Sequence, residues 1–351
     1  MNDAPASPGL AGGLVAELHT LRLTQPFHIA HGSSDTRQVL RVSLANGVGE
    51  APFVPYYNDT PETSLQWLRQ WKPSPGWHPD SAPGAPRQAR LALDLLWHDI
   101  AAKIRAEPLW KHLNLENPSG KAVCRSLSIP DDLDWYTETV QGLSRQFAIL
   151  KLKLGSGNTD FDEAIAAKAR EAAPAALLFA DANGGWTVAE AAKLIPRLLR
   201  LGIAFVEQPV HHKEGVGPWK ELRSRLPSSS MPLFGDESVQ SASDLAELAG
   251  LIQGVNIKLL KCGGFPHALG LLERARAAGL KTILGCMIES SIGTTAAAHL
   301  AARMDYVDLD GHLYLGNDDY TGLQFDANGR LLLPERAGIG AVPITPPPHA
   351  T

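Results

Sequence analysis

The run KLKLG (151–155), followed by ADANGG (180–185), VEQP (206–209), FGDES (234–238) and VNIKLLKCGG (255–264), decides the fold. Each is a short apolar stretch that ends in charged or polar residues, as a buried strand does where it emerges into a loop. The rhythm extends in both directions, with apolar runs at 123–129, 148–154, 177–180, 203–206, 232–234, 254–260, 282–285 and 306–309. Most are separated by an Ala- and Leu-rich helical pattern, as at 162–173, 187–201 and 266–279. Eight strands alternating with helices predict a parallel barrel rather than an open doubly wound sheet. No GxGxxG turn follows the first strand, so no dinucleotide site is indicated.

Upstream the pattern changes. Residues 14–24 and 38–46 alternate apolar and polar side chains and predict antiparallel strands, with Gly47 and Gly49 following. Residues 61–72 and 87–106 turn helical, with Leu91, Leu95, Ile100 and Ile104 on one side, and PSPGWHPDSAPGAP (73–86) between them reads as loop. A last apolar run at 331–333 and the closing PITPPPHAT predict a tail that returns to this first region and then frays. The expected organisation is an α+β capping domain, residues 1–120 with about 322–351, and a barrel over 121–321.

Composition narrows the class. A chain of 351 residues suggests two domains. A net charge of −5 is too weak to imply a dedicated charged partner, which argues against nucleic acid, and 44% hydrophobic residues exclude disorder over most of the chain. No apolar run is long enough for a membrane span, and MNDAPASPGLAGG lacks the features of a signal peptide, so a soluble cytoplasmic protein is expected. Cys124, Cys262 and Cys286 are odd in number and form no CxxC pair, which suggests neither a disulfide framework nor a zinc site. Cys262 and Cys286 read as buried small hydrophobes, Trp186 as packing, and His211 and His212 as loop residues.

In a parallel barrel the C-terminal strand ends meet at one mouth. The second strand brings Lys151 and Lys153, two apart and on one side; the third brings Asp181 and Asn183, the fourth Glu207, the fifth Asp236 and Glu237, the sixth Lys258 and Lys261, and the eighth Asp308 and Asp310. One acid at a strand end would serve equally well as a helix cap. Asp181, Glu207 and Asp236 on successive strands would repel one another unless a cation joined them, and an all-oxygen set suits Mg²⁺. Lys153 and Lys258 would flank that metal, either as structural ion pairs or as two bases. A base needs a lysine pKa lowered toward neutrality, and Lys151 and the divalent cation both push Lys153 that way. Two bases facing a metal-bound carboxylate suit removal of an α-proton from one face and its return on the other. Asp308 and Asp310 suit either an ammonium group or an ion pair with a lysine.

Together these residues resemble the muconate-lactonising subgroup of the enolase superfamily, over nearly the whole chain. That resemblance implies a modified (β/α)7β TIM barrel with an α+β cap, one Mg²⁺ held by Asp181, Glu207 and Asp236, and Lys151, Lys153 and Lys258 as the catalytic lysines. NIKLLKCGG (256–264), GCMIESSIG (285–293) and DLDG (308–311) are most similar to dipeptide epimerases. The implied reaction is inversion of the α-carbon of the C-terminal residue of an L,L-dipeptide, with Asp308 and Asp310 on the free ammonium and Ser126 and Met287 lining the pocket. Asn183, Glu237 and Glu289 would support these groups through hydrogen bonds, and a homo-oligomer is expected. The loop QPFHIAHGSSDTR (25–37) departs from the Ala-Glu epimerase pattern, because His31 stands where those enzymes carry the arginine for a glutamate side chain. A histidine offers less charge near neutral pH and no bidentate fork, so the second residue of the substrate stays open, with a neutral or hydrophobic one as plausible as Glu. Arg37 has no position assigned by the sequence. The alternative activities are o-succinylbenzoate synthase or N-acylamino acid racemase, and L-Ala-D/L-Glu epimerase.

Overall fold

The structure is a computed structural model that describes residues 13–54, 57, 59–72, 77–79, 82–227 and 230–344. The expected loop 73–86 is described only in part, and the end of PITPPPHAT from residue 345 lies outside the described residues. Among the described residues no helix is long and apolar enough to cross a membrane.

The chain opens with an antiparallel sheet of β1 (Val15–Ile29), β2 (Gly32–Leu44) and β3 (Gly47–Pro52). Two expectations are corrected here. The segment 25–37 is not a loop but a hairpin, paired from Phe27–Ser34 to Ile29–Gly32 and turning at Ala30 and His31. Gly47 and Gly49 do not follow the sheet but belong to its third strand, because the turn comes earlier, at Ala45 with φ +54°. Their missing side chains let β3 lie directly on α2 (Arg87–Ile104); a Cβ at Gly49 would strike the Ala92 carbonyl and one at Gly47 the Ile100 side chain. On that helix Leu91, Leu95 and Ile100 are buried, whereas Ile104, expected beside them, is 59% exposed in the last turn. Helix α1 (Pro61–Gln70) starts in a capping box made by Thr60 and Thr63, and α3 (Leu109–His112) leads toward the barrel.

Eight parallel strands follow in spatial order: β4 (Cys124–Leu127), β5 (Ile149–Lys153), β6 (Leu177–Asp181), β7 (Ile203–Glu207), β8 (Leu233–Gly235), β9 (Gly254–Ile257), β10 (Lys281–Gly285) and β11 (Tyr306–Asp308). Between them run α4 (Leu133–Ser144), α5 (Thr159–Ala172), α6 (Val188–Arg200), α7 (Gly217–Arg225), α8 (Ala242–Glu247), α9 (Leu259–Cys262) with α10 (Phe265–Ala277), and α11 (Ser291–Ala298). This is the (β/α)7β barrel expected from the sequence. The run 254–260 is shorter as a strand than expected. Residues 259–262 wind into one helical turn that ends at Gly263 with φ +83°. Strand ladders join neighbours from β4 round to β11, and side chains close the circle. Asp308 Oδ1 accepts from Cys124 Sγ and Ser126 Oγ, both at 3.1 Å, and Asp310 Oδ2 accepts from Ser126 N at 2.7 Å. Inside, Phe179, Phe205 and Phe234 stack with centroids 4.4 and 4.1 Å apart and fill the barrel below its mouth.

Three buried acids of the cap bind main-chain N–H groups. Glu50 accepts from Ser290 N at 3.0 Å, Asp94 from Phe265 N at 2.8 Å, and Asp99 from Val48 N at 2.9 Å and Ile339 N at 2.8 Å. Three of these four N–H groups belong to distant parts of the chain, so the cap is held in a fixed orientation. The tail forms β12 (Tyr320–Thr321), β13 (Gln324–Phe325), β14 (Leu331–Leu332) and β15 (Val342–Pro343), pairing β12 with β15 and β13 with β14.

Candidate active site

The alternation of side chains along β5 sends Lys151 and Lys153 to one face, toward the acids that end β6 and β7 and the acid that follows β8. Asp181, Glu207 and Asp236 are fully buried, and one carboxylate oxygen from each lies within 4.8 Å of the others. Lys151 Nζ sits among three acids, 3.0 Å from Asp181, 2.9 Å from Glu207 and 2.8 Å from Asp308. Burial works against its charge, but Asp181, Asp308 and Glu207 outweigh burial and hold the ammonium well above its ordinary range.

Lys153 and Lys258 flank the acids from opposite ends. Lys153 Nζ donates to Asp181 Oδ2 at 2.7 Å and Asn183 Oδ1 at 3.1 Å, and Lys258 Nζ to Asp236 Oδ2 at 2.7 Å. Lys261 Nζ lies 2.7 Å from Asp236 Oδ1 and donates to the Asp236 and Asn256 carbonyls. Against the penalty of burial, Lys151 and Lys153 bring Asp181 down to about 2, while Lys258 and Lys261 hold Asp236 well below the carboxylate range. Glu207 goes the other way: burial and then the Asp181 charge push it up to about 8. Its Oε1 accepts from Asn256 Nδ2 at 2.7 Å, but Oε2 accepts no aligned hydrogen bond. Three buried carboxylates thus converge, each with an oxygen within 4.8 Å of the others, and form an all-oxygen set. That set fits a hard divalent cation such as Mg²⁺.

Asn183, Glu237 and Glu289 are all buried. Asn183, at φ +45°, donates from its N–H to Asp181 Oδ1 and from Nδ2 to Glu237 Oε1 at 3.1 Å, so its carbonyl oxygen faces Lys153. Burial first, then Asp236 and Asp181, raise Glu237 to about 7. Glu289 is also buried, and burial with the neighbouring Glu50 raises it to about 8. Trp186 packs in the interior and donates to Asp162 at 2.8 Å.

Above the acids lies a cavity lined by Lys151, Lys153 and Lys258 together with Ser126, Met287, Asp308 and Asp310. The acid pair divides its work. Both Asp308 oxygens are engaged, Oδ1 by Cys124 and Ser126 and Oδ2 by Lys151. Asp310 collects Ser126 N, Arg125 Nη1 at 3.0 Å and Tyr314 Oη at 2.9 Å on Oδ2 alone, so Oδ1 takes none of these three. Arg125 lies 4.1 Å from the centroid of the Tyr314 ring, and Phe27 of the cap meets that ring edge-on at 4.7 Å. Sequence reading missed Arg125, Tyr314 and Asn256. Asn256 could have been found, standing two positions before Lys258 on the same strand face. Cys262 and Cys286 are half-buried rather than fully buried, and Cys286 lines the cavity.

From the cap come Phe27, Ile29, Arg37 and Val54. His31 lines an adjoining cap cavity that shares Ile29, Arg37 and Val54 with the catalytic cavity, and it feels the charges of Asp181 and Lys153. Burial and then His211, whose ring centroid is 6.1 Å away, lower the His31 pKa. Arg37 is the charged cap residue, among those described, that lines the catalytic cavity.

Residues 135–344 match the family described as Enolase C-terminal domain-like. The chain belongs to the enolase superfamily. Within the superfamily it is similar to dipeptide epimerases. An L-Ala-D/L-amino acid epimerase of Maribacter sp. is 32% identical over 92% of this chain and 96% of its own length. A hydrophobic dipeptide epimerase of Roseobacter litoralis is 38% identical over 76% of both. The solved dipeptide epimerase of Enterococcus faecalis, complexed with Mg and L-Leu-L-Tyr, superposes with a TM-score of 0.83 at 28% identity, covering 95% of this chain and 99% of that one.

Proposed function

We propose that this enolase-superfamily chain is a Mg²⁺-dependent dipeptide epimerase, an isomerase that inverts the α-carbon of the C-terminal residue. The observation that carries the reading is the pair Lys153 and Lys258, bonded to opposite ends of one buried acid triad beneath a cavity that cap and barrel line together. Asp181, Glu207 and Asp236 would hold the metal, which supplies a hard Lewis acid for the negative charge that gathers on the substrate carboxylate. Asp310 Oδ1 would receive the N-terminal ammonium, with Asp308 and Ser126 completing that wall. Lys153 and Lys258 then act in turn. One Nζ takes the α-proton, the C–H electron pair passes into the carboxylate, and the other ammonium returns a proton to the opposite face. Lys151 holds the third and fourth strand acids and Asp308 together beside Lys153.

The test is α-proton exchange in D₂O from both epimers. Lys153→Ala and Lys258→Ala are each expected to lose exchange from one epimer by about 10²–10⁴-fold, the usual contribution of a positioned base. Free epimerisation by both variants would sink the two-base reading, and loss of dipeptide turnover in Asp310→Asn separates it from the N-acylamino acid racemase and o-succinylbenzoate synthase alternatives. Residues 1–120 with 322–351 are proposed as the cap and 121–321 as the barrel. The three free cysteines support a reducing, cytoplasmic setting.

A further inference from the structure

We infer that Lys261 is a positioning residue, whose ammonium fixes the Asp236 carboxylate and thereby aims Lys258 into the catalytic cavity. This rests on the two-base reading and deepens it, by saying what holds one of the two bases in place. The reaction as proposed has no use for Lys261. Its side chain is fully buried, whereas Lys258 lines the cavity, so Lys261 does not meet a substrate held there. A buried ammonium needs oxygens around it, and their identity shows what this one does. Lys261 Nζ donates to the Asp236 carbonyl at 2.6 Å and the Asn256 carbonyl at 2.7 Å, and lies 2.7 Å from Asp236 Oδ1. Two of these oxygens belong to Asp236, so the ammonium pins that side chain to its own main chain. Asp236 Oδ2 is left to accept from Lys258 Nζ at 2.7 Å.

The local fold puts Lys261 at that point. Strands β8 and β9 pair as Phe234–Gly254 and Gly235–Val255, which makes Asp236 and Asn256 the next pair in register. The ladder stops one position short, and Lys261 bridges both carbonyls of that position instead. It reaches them because β9 does not run on. Leu259–Cys262 coil into a single turn with Lys258 at the N-cap, and three positions on Lys261 returns to the side of Lys258. Gly263, at φ +83°, ends the turn at once. Asn256 adds a second link, because its carbonyl accepts from Lys261 while its Nδ2 donates to Glu207 Oε1 at 2.7 Å. Lys153 is held by other means: it donates to Asn183, which is itself tied to Asp181 and Glu237. The two bases therefore have separate supports, and loss of Lys261 acts first on the Lys258 end.

The test measures α-proton exchange in D₂O, at saturating Mg²⁺, for L-Ala-L-X dipeptides and their L-Ala-D-X epimers, and takes the ratio between the two epimers. Lys258→Ala identifies the epimer that Lys258 serves. Lys261→Met is expected to slow exchange from that same epimer about 10-fold relative to the other, the scale on which loss of a supporting partner acts. Lys261→Gln, which also lacks the charge that faces Asp236 Oδ1, is expected to do the same and serves where the methionine variant folds poorly. Because both epimers are measured in one preparation, the folded fraction cancels from the ratio. A crystal structure of Lys261→Met is expected to show Asp236 turned and its Oδ2 no longer bonded to Lys258. Equal slowing of both epimers, a wild-type ratio in either variant, or an unchanged Asp236–Lys258 contact would overturn the inference while the two-base reading stands. Absence of exchange with every dipeptide, or no epimer-selective loss in Lys258→Ala, overturns both.

Discussion

Asp310 shows how much of a site can depend on one residue's partners. Its carboxyl is raised by burial and by Asp308, and Arg125 is the charge that opposes them. Arg125→Met is therefore expected to raise KM for dipeptides by about 10-fold, the ~1.4 kcal/mol scale of one charge-assisted hydrogen bond, with kcat within about threefold of wild type in steady-state kinetics. A residue in the reaction itself would depress kcat instead. The second side chain of the substrate is a matter for the cap. His31 lines the adjoining cap cavity, with its pKa lowered by burial, whereas Arg37 lines both cavities. Comparing L-Ala-L-Glu with L-Ala-L-Leu, Arg37→Ala is expected to lower the Glu-to-Leu ratio of kcat/KM by about 10-fold, and His31→Ala to move it less than about twofold.

Among the elements, β3 and α2 meet in close contact at Gly47 and Gly49. Gly49 faces the main chain of Ala92 and Leu96, so an added methyl meets backbone rather than a side chain that can turn aside. Gly49→Ala is expected to cost about 1–3 kcal/mol in urea unfolding, the usual penalty for overpacking a close-packed contact. The separation of β3 from α2 would also disturb Glu50, which stands next to Gly49 and receives Ser290 at the start of α11. Activity should fall with stability in this variant, because the strand that carries the substitution also carries one of the cap's bonds to the barrel.

At the scale of the whole molecule, His299 joins three regions. Its Nδ1 accepts from Trp110 N at 2.9 Å, which leaves Nε2 as the protonated nitrogen facing Ile339 O at 3.0 Å. Helix α11, the segment after α2 and the C-terminal tail therefore meet on one neutral imidazole. Burial lowers its pKa to about 4, below the ordinary value of 6.5. As pH falls, the unfolded chain takes the proton first, so the stability linked to this group is complete above pH 6.5 and is lost on the way down to pH 4, at about 1.4 kcal/mol per pH unit. Between pH 6.5 and 5, His299→Gln should lose about 2 kcal/mol less than wild type, measured by denaturant unfolding at each pH.

The sequence by itself determined the barrel and the heart of its site. A buried strand has a local apolar signature, barrel topology gathers the strand ends at one mouth, and a period of two puts Lys151 and Lys153 on one face. Asp181, Glu207, Asp236, Lys153 and Lys258 were legible for that reason, without any knowledge of which groups they bond. Only the tertiary structure decided that Asp308 serves Lys151 while Asp310 takes Ser126 and Arg125. Those contacts form where β11 closes on β4, between residues as far as 185 positions apart. The same is true of Arg37 in the cavity, of Ile104 in solvent, and of Gly47 and Gly49 beneath a helix. Periodicity reports which face of an element is buried, but the partner that a charge or a glycine meets depends on which distant elements the closed fold brings together.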